Sequence, residues 1–149
     1  MTSITKPPLE GIGGWLAWLA FGQVMSILRL VILLVQNSRG YNQIADAPGA
    51  HIAILAETAM NLGLIVLAMT TAFALFQKKR VFKTLFLYQW IAIPVVAILD
   101  VIVVAFAMGI PIHTAAAFID AKTIGGFIAP GIWVWYTRKS RRVANTMVN

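Results

Sequence analysis

The sequence contains no cysteine. Disulfides, thiolate nucleophiles, cysteine-ligated zinc and iron–sulfur clusters are therefore excluded. Charge is scarce as well: Asp, Glu, Lys and Arg together make 11% of the 149 residues, and only five are acids. A water-facing domain carries about 25% charged residues, so this chain lacks the polar surface to cover a soluble globule. No Ser/His/Asp or Cys/His grouping suggests a nucleophile. Gly11, Gly13 and Gly14 follow no strand and so form no dinucleotide loop; with Pro7 and Pro8 before them they read as a flexible approach to the first helix. His51 and His113 lack a second pair of ligands, so they read as solvated loop histidines rather than a metal or haem pair. No metal or other cofactor is expected, and the six methionines are scattered as packing residues are.

What is present is apolar. Hydrophobic residues make 60% of the chain and the mean hydropathy is +0.82. Crossing about 30 Å of hydrocarbon takes roughly 20 helical residues, and four stretches qualify: about 13–35, 52–76, 85–108 and 114–136. The predicted fold is all-α, a transmembrane four-helix bundle in a single integral membrane domain over 1–149. Residues 36–51, with Asn37, Ser38, Gly40, Asn42, Pro48 and Gly49, read as an irregular loop. Residues 77–84 are a short basic connection, and 109–113 a tight turn with Pro111. The fourth span is the least apolar, holding Asp120, Lys122, Gly125, Gly126, Pro130 and Gly131. Pro94 and Pro130 suggest kinks. Only Lys6 precedes the first apolar run, which is too long for a signal peptide's core and lacks a small-x-small cleavage site, so no cleaved signal is expected.

The net charge of +7 is concentrated rather than spread. Lys78, Lys79, Arg80 and Lys83 follow the second span; Arg138, Lys139, Arg141 and Arg142 follow the fourth. With Lys6 they fall on one side, while the opposite loops hold only Arg39. The positive-inside rule then places both termini and the middle loop in the cytoplasm. Trp15, Trp18, Trp90, Trp133, Trp135 and Tyr136 gather toward the same side as an interfacial belt. Such clusters are topology signals and contacts for anionic lipid headgroups. Nucleic acid is not expected, because the aromatics that would stack on bases lie inside apolar runs.

The polar residues inside the spans fall at one depth. At about 1.5 Å of rise per residue, Arg29, Asn61, Asp100 and Asp120 all lie roughly 20–23 Å from the cytoplasmic helix ends. Lys122 lies slightly below Asp120, and Glu57 one turn further out on the face of Asn61. Embedded ionisable groups usually face a bundle interior, which makes Arg29, Glu57, Asn61, Asp100, Asp120 and Lys122 a candidate polar layer. Arg29 is its natural hub, since a guanidinium can hold two carboxylates. The competing reading is a network that only fixes helix register, with Lys122 snorkelling to the outer headgroups.

Two stretches carry a resemblance. Leu9-Glu10-Gly11-Ile12-Gly13-Gly14-Trp15-Leu16 opens the first span. Trp135-Tyr136 and then Lys139-Ser140-Arg141-Arg142-Val143-Ala144-Asn145-Thr146 close the chain. Together they resemble a family of small bacterial inner-membrane proteins catalogued as a domain of unknown function, with Gly-Gly-Trp-Leu at the start and Lys-Ser-x-Arg-Val-x-x-Thr at the end. Here the closing motif continues with Met147, where an aromatic residue is commoner. The resemblance implies a bacterial cytoplasmic membrane and four helices, and brings no activity or functional residues. The residues alone suggest that the Gly-Gly step lets the first helix approach the last, and that the basic tail lies along headgroups as a short amphipathic helix.

Small size and missing catalytic chemistry point to a non-enzymatic role. The expected one is an accessory or interaction subunit, bound to another membrane protein or to itself. The alternative is a carrier or pocket for a lipid, quinone or small ion using the polar layer.

Overall fold

The computed structural model describes residues 10–116 and 121–149, the side chains at 121–124 and 129 excepted. The described elements are all helices: α1 (Trp15–Ile44), α2 (Ala50–Phe76), α3 (Phe82–Met108), α4 (Ile112–Ala116), α5 (Ala121–Lys139) and α6 (Arg141–Thr146). Three of them, α1, α2 and α3, are long and apolar enough to cross a membrane. In lipid a helix is favoured because it satisfies every backbone donor and acceptor within one segment.

The boundaries depart from the sequence reading in three places. The stretch 36–44, expected to be loop, continues α1 as helix. Its polar residues have no backbone reason to break a helix already established from Trp15 to Val35; α1 ends at Ile44, just before the turn that holds Pro48 and Gly49. The third helix begins at Phe82, leaving 77–81 as the whole basic turn. Within the expected span 114–136 the described helix is α4 and α5, with 117–120 outside the described residues, and α5 runs on past 136 to Lys139.

Glycine is required at one turn above all. Gly49 precedes α2 with φ 77°, and a Cβ there would lie 1.7 Å from the carbonyl oxygen of Ala107. The α1–α2 turn therefore presses directly on the backbone of α3's last turn. At the other end α2 stops with Lys78 at φ 57°, and Lys79 N–H returns to the Ala74 carbonyl at 2.9 Å. That is the usual way to close a helix, with a lysine where glycine would fit at no cost.

Helix α1 packs along α2, α2 along α3, and α3 along α5. Between α3 and α5 the seam is aromatic. The Trp90 and Phe127 rings stack 4.6 Å apart, and the Trp90 indole N–H donates to the Phe127 carbonyl at 3.0 Å. Pro130 follows three residues later; lacking an N–H, it leaves the Gly126 carbonyl without its helical donor and loosens the helix there. Gly131 lets Trp90 in, since a Cβ would meet the indole at 3.3 Å.

The core lies at one end. Leu16, Leu19, Ala20, Ala74, Leu75, Phe82, Val143 and Met147 form the buried cluster, with Trp133 and Tyr136 packed against it. This is also where the lysines and arginines of 78–83 and 138–142 gather, and it is called the basic end below. The opposite, far end holds Gly49 and Gly109.

Candidate functional site

At the basic end the two terminal motifs meet. Ser140 caps α6 by accepting from Val143 N–H. Helix α6 then crosses the end of the bundle instead of lying flat on a surface: Val143, Thr146 and Met147 are buried. Thr146 Oγ1 donates to the Gly11 carbonyl at 3.4 Å. The Arg142 guanidinium fills the space that Gly13 and Gly14 leave open; a Cβ at Gly13 would sit 2.7 Å from Arg142 Nη1. So the Gly-Gly step admits an arginine from the tail, and contact between the first and last long helices comes through Trp15 and Trp133, 6.0 Å apart. Beyond α6 the chain pairs with the α2–α3 turn. Arg80 N–H donates to the Asn149 carbonyl at 2.7 Å, Asn149 N–H to the Lys78 carbonyl at 3.3 Å, and Arg80 Nε to the Val148 carbonyl at 3.0 Å. Residues 78–80 and the tail therefore form one unit, with Lys78, Lys79, Arg80, Arg138, Lys139 and Arg141 exposed around it and Lys83 and Arg142 half-buried.

One polar pair lies between the basic end and the middle of the bundle. Gln23 Nε2 donates to Gln89 Oε1 at 2.8 Å and to the Ala68 carbonyl at 3.0 Å, and both side chains are buried. The sequence reading left this half apolar and missed the pair. Neutral amides among apolar residues carry no charge signal, and only the α1–α2–α3 packing shows that they meet. Such a bond is worth about 0.6–2 kcal/mol in a membrane, and it ties three helices at one level.

At the far end a polar contact joins α1 to α2: Asn37 Nδ2 donates to Glu57 Oε1 at 2.7 Å. Tyr41 lies beside Thr58 and Glu57, and Asp100 of α3 is within electrostatic range of both Tyr41 and Glu57. The Tyr41 hydroxyl and Asp100 Oδ1 are buried and have no hydrogen-bond partner among the described residues. Asn61, one turn from Glu57, is half-buried on the same stretch of α2. Asn37 and Tyr41 fall in the stretch whose composition signals a loop; a helix through it puts positions 37 and 41 on one face.

Arg29 is not part of this cluster, which corrects its expected role as hub. The inward stripe of α1 runs through Leu16, Leu19, Ala20 and Gln23 and on to the half-buried Ile27, Leu30, Leu34, Asn37 and Tyr41. Arg29 lies off that stripe and is exposed. Residue counts give a position along α1, but direction depends on which side of α1 meets α2. An arginine at the centre of a span opposes insertion by about 2.5–3.5 kcal/mol. Asp120 and the side chain of Lys122 lie outside the described residues. No group of three or more His, Asp or Glu suited to a metal occurs among the described residues.

A family model described as "Protein of unknown function (DUF2569)" matches residues 9–148. The chain belongs to this family. The match to DUF2569 covers both terminal stretches as well as every described helix. The chain matches no curated protein and no solved structure.

Proposed function

We propose that this DUF2569 protein is a four-span protein of the bacterial inner membrane with both ends in the cytoplasm. Its role is non-enzymatic, as an accessory or interaction subunit of a membrane complex. Incomplete packing of α1 carries this reading. The helix is 30 residues long, yet it rests along α2, reaches α3 through Gln23–Gln89 and meets α5 at Trp15–Trp133. Among its described neighbours nothing covers the wall between α1 and α5, and a bundle left open on one side is completed by another chain more readily than a closed one. The basic end supports the orientation and a contact with anionic headgroups, since its exposed lysines and arginines ring the apolar spans. Extraction into nanodiscs followed by native mass measurement tests the reading. The expected species is heavier than the 16.3 kDa chain by a stoichiometric protein; a uniform monomer would overturn it.

A second reading, a pocket for a small ion, is favoured by the buried Asp100 Oδ1, which has no hydrogen-bond partner among the described residues, at the same end of the bundle as Tyr41 and Glu57. Oxygen donors suit hard cations. On this reading Tyr41→Phe and Asp100→Asn abolish sodium- or calcium-induced thermal stabilisation while the apo melting temperature holds. If both variants only change the apo melting temperature, the cluster is structural.

A further inference from the structure

We infer that the Trp18–Gly22–Met25–Arg29 face of α1 seats a transmembrane helix of a different protein, one that carries a carboxylate at the depth of Arg29. The inference rests on the subunit reading above and names its surface and the chemistry of its partner. Spacings of four, three and four residues put these positions on one stripe of a helix. Trp18 is 65% exposed and Met25 47%, and a Cβ at Gly22 would meet nothing within 4 Å. Gly22 thus offers a notch where a second backbone can come close, the usual device of helix association in lipid. Fourteen residues past Trp15, at about 1.5 Å per residue, Arg29 lies roughly 21 Å into a hydrocarbon layer of about 30 Å. A guanidinium exposed at that depth is costly unless it snorkels to the outer headgroups or an anion meets it, and a planar fork is matched best by a carboxylate.

Charge also argues against a second copy as the occupant. A two-fold pairing through this face would set Arg29 beside its own copy. Among the described residues this chain offers no suitable acid, and Asp120, placed at the depth of Arg29 by residue count, lies outside them. Glu57 is half-buried and bonded to Asn37, Asp100 has one oxygen buried, and Glu10 and Asp46 lie outside the apolar spans. A partner helix from another protein, bearing Asp or Glu about one turn from the depth of Arg29, fits all of these observations.

The test replaces Met25 with the photo-crosslinker p-benzoylphenylalanine in the full chain, in cells, with Leu55 on the exposed side of α2 (73% exposed) as the control position. The expected result is one protein adduct from position 25, absent from position 55. Its crosslinked peptide should come from a transmembrane segment containing Asp or Glu. Arg29→Glu should cut the adduct yield by about tenfold or more, Arg29→Lys should retain part of it, and changing the partner's acid to arginine should restore it in the Arg29→Glu background. Unchanged melting of each variant shows that the fold survives. The inference is overturned by an adduct with a second copy or with lipid only, by a partner segment without an acid, or by a yield indifferent to Arg29→Glu. It is overturned equally if Arg29→Ala and Asp120→Asn lower stability by the same non-additive amount, since Arg29 then pairs within its own chain. An adduct from position 55 alone would leave the subunit reading standing and remove this face from it; no protein adduct from either position would remove both.

Discussion

Replacing Gly49 with alanine should break the far end of the molecule, and its size can be worked out from two separate terms. The first is conformational. Gly49 has φ 77°, where an L-residue costs about 1–2 kcal/mol. The second is steric. The new Cβ would stand 1.7 Å from the Ala107 carbonyl oxygen and 2.5 Å from its carbon. Neither atom belongs to a flexible side chain, so backbone must move, and overpacking of this kind costs about 1–3 kcal/mol or more. The expected total is about 2–5 kcal/mol. Gly109→Ala separates the terms: its φ is 65°, yet a Cβ there meets nothing within 4 Å, so only the conformational part of about 1–2 kcal/mol applies. Gly63→Ala, with negative φ and open space, should be neutral or slightly stabilising. Reversible unfolding in mixed micelles, followed by tryptophan fluorescence, gives all three values. If Gly49→Ala costs no more than Gly109→Ala, the α1–α2 turn does not press on α3 and the reasoning fails.

Three other perturbations test separate parts of the structure. Gln23→Leu or Gln89→Leu alone strands a buried amide, costing about 1–3 kcal/mol, whereas the double variant should recover much of the loss; a double-mutant cycle by the same unfolding assay checks it, and additive losses would refute the shared bond. Val143→Asp puts a charge into the cluster of Leu16, Leu75 and Phe82 and should release α6, seen as faster tryptic cleavage at Lys139 and Arg141; an unchanged cleavage rate would refute docking of the tail. Lys78→Gly removes an αL lysine and should raise stability by up to about 1 kcal/mol, while a loss would show that the lysine side chain holds the turn.

The legible part of the fold was its apolar periodicity and length. Helices α1, α2 and α3 follow from runs of some twenty apolar residues, because lipid leaves a backbone few other solutions. How far along their helices Glu57 and Asp100 lie follows from counting residues, because helical rise is constant. Helix ends were harder. Asn37, Ser38 and Asn42 signal a loop in composition, yet α1 continues through them, since local propensity is weak against an established helix that gains Asn37–Glu57 as a tertiary bond.

Direction around each helix required tertiary structure. Rise fixes how far Arg29 lies along α1, but only the docking of α1 on α2 turns it outward and turns Asn37 and Tyr41 inward. The same docking joins Gln23 to Gln89 across 66 positions, a pairing of neutral amides without a sequence signature. The terminal motifs are the clearest case. A family resemblance singles both out, but the space at Gly13 that Arg142 fills, and the pairing of residues 78–80 with the tail, exist only once α6 folds across the basic end. Along the chain the sequence determined length, polarity and position along each helix, which are one-dimensional quantities; which faces meet depended on packing in three dimensions, where a rotation of about a hundred degrees per residue decides what a side chain touches.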